Sequence, residues 1–416
     1  MKTGLAVCVA FAVASAPALA QDILEHSIVG SESCSKPGPC YSALMEKVPV
    51  QRFFLDLAHS PIVAADAETR LSGAGVSIDD LLALRLVRRE GGRYVLNFPL
   101  FTASDVGLVR TRSEGYADSL AGAIVSRRMD LDRELAAYDA PGVDRGAVAF
   151  FLLGCVSLDW DGLEITARQH YRKVADRRPD GDYVPAAEEK TEENVKGIYW
   201  GSHNSAYGEV RFTSFGDHFS RRFAFPDLFW TVPLRLTGRS EDPEGATEAL
   251  QALAGASVQH SAPYVGRIML ALRDGEKTSD EIAATAKLSP EDTASLLKAL
   301  VALDYMREVG GRYRASIPVL SERDRVMADH VRAIGYEAMG RWLSESYPTI
   351  RADMKDLSFT HSGVPLEEGF TMIWHYIFGI TNRKLVEAGL FADPYAPTRK
   401  YKGSIPAVYS LEFPTP

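Results

Sequence analysis

The apolar positions of this chain fall into continuous runs, helical stripes and alternating segments. Ala147 to Leu158 (AVAFFLLGCVSL) and Phe370 to Ile380 (FTMIWHYIFGI, carrying His375) are continuous runs. Both are shorter than the ~20 apolar residues that cross a bilayer, so they predict buried core helices. Leu296, Leu297, Leu300 and Leu303 recur at helical spacing and give one apolar face. Gly310-Gly311 then supplies the positive φ angles of a two-residue hairpin turn. Tyr313, Ala315 and Ile317 alternate as a strand that Pro318 stops.

Residues 163–235 have a different texture. Leu163 to Lys173 has strand-like stretches, Arg178 to Asp182 (RPDGD) is a turn signal, and Gly197–Gly201 and Gly208–Ser214 read as short strands. Phe219 to Trp230 adds an aromatic cluster, and Arg239 to Gly245 reads as a linker. The expectation is an antiparallel sheet in the middle of the chain.

That middle is flanked by a repeat. Residues 81–105 (LLALRLVRREGGRYVLNFPLFTASD) and 300–324 (LVALDYMREVGGRYRASIPVLSERD) align without gaps, and ten of the 25 positions are identical, including Gly-Gly-Arg-Tyr. Gly115-Tyr116 matches Gly335-Tyr336, and Gly142-Val143 matches Gly363-Val364, each leading towards one of the apolar helices. A duplication of more than a hundred residues therefore organises the chain. The expected fold class is α+β, two duplicated, mostly α units flanking an antiparallel β-rich middle. The expected boundaries are a leader at 1–20, an arm at 21–50, the first unit at 51–162, the middle at 163–240, the second unit at 241–390 and a tail at 391–416. That tail is expected to pack as an extended arm or stay mobile.

Upstream of the second wing, Ser279 is placed to cap a short helix through Ala286, and Ser289 to cap the next, with Pro290 at its first position. Two short helices, a tight turn and a β wing over roughly residues 265–318 resemble the winged helix-turn-helix of ArsR- and MarR-type bacterial repressors. The resemblance implies that two winged-helix-like copies in one chain imitate a repressor dimer on DNA. Charge opposes that function. Glu291 and Asp292 open the helix that would enter the major groove, where only Lys298 is basic. The wings offer Arg312 and Arg314, and Arg88, Arg89 and Arg93, against the ~6–10 phosphate contacts of a modest DNA-binding domain. The whole chain has a formal net charge of −9. Nucleic acid is thus not the expected partner, and the fold alone does not decide function.

The first twenty residues, MKTGLAVCVAFAVASAPALA, combine Lys2, an apolar stretch from Leu5 to Ser15 and an Ala18-Leu19-Ala20 cleavage pattern. This predicts a secretory signal peptide and a periplasmic or secreted protein. Cys34 and Cys40 bracket Ser-Lys-Pro-Gly-Pro and would close a local disulfide in an oxidising compartment, while Cys155 falls in an apolar helix and would be buried. A metal site on that pair is the weaker reading, with no His or further Cys immediately beside it to complete four ligands.

Candidates for chemistry lie in the middle. Ser202 and His203 follow Trp200-Gly201, and Asp217 and His218 follow Gly216. If two strands bring these loops together, a hydroxyl, imidazoles and a carboxylate could serve nucleophilic or metal-assisted catalysis. The competing reading is that His and Asp beside glycine form turns. Tyr199, Trp200 and Phe215 are candidates to line a ligand cleft, or are simply core. Neither a Gly-x-Ser-x-Gly elbow nor a His-Glu-x-x-His helix is present, and no cofactor is indicated. The leading expectation is an exported binding or scaffolding protein for an unknown protein or small molecule. The alternatives are a hydrolase or metal-dependent enzyme centred on the middle and, should the leader not be one, a winged-helix transcriptional regulator.

Overall fold

The computed structural model describes residues 23–34, 39–191, 197–199, 202–207, 210–215, 262–302, 305–394, 396 and 407–410. The chain is a mixed α+β protein with several small sheets.

The repeat is visible in the order of its elements. Unit 1 contains β1 (Leu24–Glu32), α1 (Tyr41–Met45), α2 (Val48–His59), β2 (Ile62–Val63), α3 (Ala64–Leu71), α4 (Ile78–Ala83) and the hairpin β3 (Val87–Glu90) and β4 (Arg93–Leu96). It continues with β5 (Leu100–Phe101), α5 (Ala103–Val125), α6 (Arg128–Leu135), a long helix α7 (Arg145–Arg168), β6 (Arg177–Arg178) and β7 (Gly181–Glu189). Unit 2 begins with β8 (Ser202–Tyr207) and β9 (Val210–Phe215). It then has α8 (residues 262–271), β10 (Lys277–Thr278), α9 (Ser279–Ala286), α10 (Pro290–Ala302), β11 (Met306–Val309), β12 (Arg312–Ala315) and β13 (Val319–Leu320). The helices α11 (Arg325–Asp353), α12 (Ser358–His361) and α13 (Leu366–Glu387) follow, and β14 (Ala407–Ser410) closes the unit.

Local chemistry explains why both copies fold alike. In each hairpin the two glycines take positive φ (51° and 80° at Gly91 and Gly92, 60° and 76° at Gly310 and Gly311), as a tight turn matched to strand twist requires. Hydroxyl-plus-acid caps start the matching helices α4 and α10, at Ser77 with Asp80 and at Ser289 with Asp292, and Thr278 with Glu281 adds a capping box at α9 where unit 1 has Val63. The cap of α9 is therefore Thr278, one residue before the expected Ser279; either hydroxyl can cap, and Thr278 has Glu281 three residues on. The long helix of each unit is entered through a similar box, α5 directly from Thr102 with Asp105 and α11 through a 3-10 turn that starts from Ser321 with Asp324.

The small sheets have the same strand order, β2-β4-β3 and β10-β12-β11. The larger sheets also correspond. β7 pairs antiparallel with β1 and parallel with β5, and β14 pairs antiparallel with β9 and parallel with β13. The middle strands therefore do not build one sheet of their own. β7 closes the sheet of unit 1, whereas β8 and β9 open that of unit 2. The tail expected as an arm supplies β14, a strand inside a sheet. Leu163 to Lys173 is not strand-like either. Gly162–Arg168 continues α7, burying Ile165 and Thr166 and bonding Arg168 to Glu164 one turn earlier at 2.5 Å.

The two units share one core. α5 of unit 1 packs on α13 of unit 2, α11 of unit 2 packs on α7 of unit 1, and α5 and α11 also meet. Phe150, Phe151, Leu153, Trp374, Ile377 and Phe378 lie at its centre, each 2% exposed or less. Phe150–Asp161 within α7 is wound as a π-helix, and Cys155 there is a buried thiol outside any disulfide. By length and composition α7 could cross a membrane, but 78% of its apolar window is buried in this bundle. Each four-element module, helix, two helices and hairpin, has its own satellite core.

Candidate functional site

The equivalence of the larger sheets exposes a difference at their outer edges. β9 is covered along its length by β8, from Ser202 opposite Phe215 to Tyr207 opposite Val210. The corresponding strand β1 ends its sheet. Ser33 N donates to Asp180 O at 2.8 Å and Lys190 N to Ile23 O at 2.9 Å, so the odd-numbered residues of β1 bond towards β7. The backbone N–H and C=O groups of Ile28 and Gly30 point the other way, to a side that no strand occupies among the described residues.

Neighbouring side chains fit this division. At the start of β1, Gln51 Oε1 accepts from Leu24 N at 3.0 Å and closes that end of the edge. In unit 2 the position of Gln51 is Gly266, where a Cβ would run into the side chain of Val210, the counterpart of Leu24. Gly30 itself has φ +117° and lies so close to β7 that a Cβ would strike the Asp182 carbonyl.

Beside this edge, between the bundle-facing side of β1 and β7 and helix α13, lies a cleft of about 200 Å³. Alternation along the strand turns Glu25, Ser27 and Val29 to α13, where Thr371, Met372 and His375 line the opposite wall. Ser27 Oγ lies 3.8 Å from Met372 Sδ. His26, on the other face, meets the ring of Tyr41 edge-on at 5.7 Å. Buried Glu188 accepts a 2.8 Å hydrogen bond from Tyr376 Oη. Burial first, and then the Glu188 carboxylate, hold that phenol far above its ordinary range, so it stays a donor. His375 Nδ1 donates to Thr371 O at 2.7 Å, and Glu25 pairs with Lys190 at 3.4 Å. The arrangement offers main-chain donors and acceptors in a row, bordered by a carboxylate, an imidazole and apolar wall.

The residues singled out from the sequence fare unevenly. Ser202 and His203 lie on β8, opposite Phe215 and Ser214 of β9. Asp217, His218 and Trp200 fall outside the described residues, as do the side chains of Ser202, His203 and Phe215. Tyr199 is anchored by its N–H to Gly379 O at 3.0 Å and by its hydroxyl to Asp393 at 3.0 Å. Burial, then Asp393, raises its pKa. The sulfurs of Cys34 and Cys40 lie at disulfide distance, with Cα atoms 5.4 Å apart. Glu32 approaches them, making with them a group of metal-ligand types, but its carboxylate is already taken by Ser42 N at 3.0 Å and Ser42 Oγ at 2.5 Å.

No protein-family model, curated protein or solved structure matches the chain.

Proposed function

We propose that this chain is a polypeptide-docking scaffold whose β1 edge accepts an extended segment of a partner protein as an added antiparallel strand. The observation that carries the reading is internal. In unit 2 the same edge, on β9, already holds such a strand, β8. Strand addition draws affinity from main-chain hydrogen bonds and specificity from pockets for alternate side chains. Ile28 and Gly30 supply the former, and the cleft with Glu25 and His375 supplies the latter.

The order helix, strand, two helices and hairpin, with the first strand beside the last, supports a winged-helix-like origin for both modules. DNA binding is disfavoured by acids at the start of α4 (Asp79, Asp80) and α10 (Glu291, Asp292), which would face phosphates. The leader-like first twenty residues and the Cys34–Cys40 pair support export.

Peptide display against the chain lacking residues 1–20 tests the docking reading. Selected peptides are expected to slow amide hydrogen exchange at Ile28 and Gly30. Their affinity is expected to fall at least tenfold in Ile28→Pro, which removes an outward N–H without touching the ladder to β7. Peptides that bind equally well to I28P, or a display that selects none, would sink the proposal. Self-association that I28P abolishes would instead identify a second copy as the occupant.

A further inference from the structure

Helices α2 and α3 of unit 1 are tied by an ion pair, Arg70 Nη1 donating to Asp56 Oδ2. Sheet register fixes the counterparts of these residues in unit 2. Ile62 stands opposite Tyr94 as Lys277 stands opposite Tyr313, and Val63 opposite Arg93 as Thr278 opposite Arg312. Eight-residue helices, α3 and α9, follow directly in both. Residues 50–57 (VQRFFLDL) and 265–272 (VGRIMLAL) align on the same offset with Val, Arg and two Leu in common. Asp56 therefore corresponds to Ala271, and Arg70 to Thr285.

Both charged partners are replaced by small residues in unit 2, and an open hollow of about 440 Å³ takes their place. Ala271 and Thr285 line it, with Arg267, Lys277, Lys287 and one acid, Asp274. Two of these cations arrive with the hollow, since their unit 1 counterparts are Ile62 and Ser72. None of the three makes an ion pair among the described residues. The surrounding acids are engaged elsewhere: Asp274 with Arg323 at 2.9 Å, Glu276 with Arg314 at 3.5 Å and Glu281 with Arg312 at 3.3 Å. Arg267 is steadied over the Tyr264 ring, 5.7 Å from its centroid. Three cations converging on a concavity in an acidic protein concentrate the local potential for an anion.

We propose that this hollow is a binding site for a small multivalent anion of the phosphate class, whose charged group stands where the Asp56 carboxylate stands in unit 1. The site is distinct from the β1 edge, and its test does not depend on peptide docking. Calorimetric titration of the chain with pyrophosphate, at ionic strength held constant with sodium chloride, is expected to give saturable binding. That binding should weaken at least tenfold in K277A/K287A. It should also weaken in A271D/T285R, which rebuilds the ion pair of unit 1 inside the hollow and should leave Tm unchanged or higher. If A271D/T285R fails to fold, charge reversal in K277E/K287E gives the same comparison from the rim. Absence of saturable binding at constant ionic strength overturns the proposal, as does binding that survives these folded variants. Weak binding that sodium chloride competes away in step with ionic strength also overturns it, because that is bulk screening and not a site.

Discussion

Arg273 and Asp324 form an ion pair in which both side chains are almost wholly buried, 2% and 3% exposed. Asp324 is the counterpart of Asp105; Asp105 caps α5, and Asp324 caps the 3-10 turn that leads into α11. Their second partners differ. Asp105 accepts the backbone N–H of Ser358 at 3.0 Å, whereas Asp324 holds a guanidinium that also reaches Asp139 at 3.0 Å and lies 4.5 Å from the Tyr138 ring centroid. Asp324→Ala leaves the buried Arg273 guanidinium with only the exposed Asp139 carboxylate and is expected to cost about 3–5 kcal/mol in urea unfolding. Asp105→Ala loses a cap and one hydrogen bond, for about 1–3 kcal/mol. Equal losses at the two sites would show that Asp139 alone suffices for Arg273.

The glycines of the bundle separate close packing from mere tolerance. A Cβ at Gly162 would lie 2.5 Å from Cζ2 and 2.7 Å from Nε1 of Trp374, a buried indole fixed by its hydrogen bond to Leu158 O at 2.9 Å. Gly162→Ala is expected to destabilise by about 1–3 kcal/mol through overpacking. Gly122, in the interior of α5, faces open space, so Gly122→Ala should stabilise by roughly 0.5–1 kcal/mol. Chemical denaturation of the two variants should move in opposite directions.

Alkaline pH should unfold the protein partly through Tyr138. Its hydroxyl donates to Val319 O at 3.0 Å and accepts from Val319 N at 3.1 Å, and burial pushes its pKa up to about 12. Between pH ~10 and about 12 the unfolded chain releases this proton while the folded chain keeps it, so stability present below pH ~10 is lost as pH rises. A shift of about two units corresponds to roughly 3 kcal/mol across that window. Tyr138→Phe should be less stable at neutral pH by about 1–2 kcal/mol. Its stability should also fall less steeply above pH 10, by one proton in the slope of stability against pH.

What the sequence discloses about this fold is mostly local. The Gly-Gly turns and the hydroxyl-plus-acid caps act within a few residues and could be read to within one, whereas the apolar runs located the two core helices but not their ends, since α7 runs on to Arg168 and α13 to Glu387. Pairing between distant segments has no such signature. Nothing in AVYS at 407–410 specifies β9, some two hundred residues away, so the middle strands looked like one domain although β7 belongs to unit 1 and β8 and β9 to unit 2. Leu163 to Lys173 carries β-branched Ile165 and Thr166, yet the helix running into it continues through Arg168 and buries both. The candidate site was hidden for a related reason. An open edge is a property of the sheet, and it emerges only when β1 is compared with β9. The exchange of Asp56 and Arg70 for Ala271 and Thr285 becomes meaningful only once register aligns the modules.

The interlocked bundle makes a last prediction about the units themselves. α5 leans on α13 and α11 on α7, so each unit fills the core of the other. The wings reinforce the exchange. Arg88 of unit 1 donates to Ser362 O beside Gly363, and Arg314 of unit 2 lies over Gly142, the glycine at the matching position. Unit 1 alone would expose the face that buries Trp374, Ile377, Phe378 and their neighbours. At about 1.5–3 kcal/mol for each large apolar side chain, a few such losses equal the ~5–15 kcal/mol that holds a domain folded. Residues 21–195 and 196–416 expressed separately should therefore be insoluble or form homodimers in which the missing unit is replaced by a second copy. Expressed together, they should co-elute in size-exclusion chromatography as a one-to-one complex. A stable, monomeric unit 1 with a cooperative unfolding transition would show that the bundle is two cores and not one.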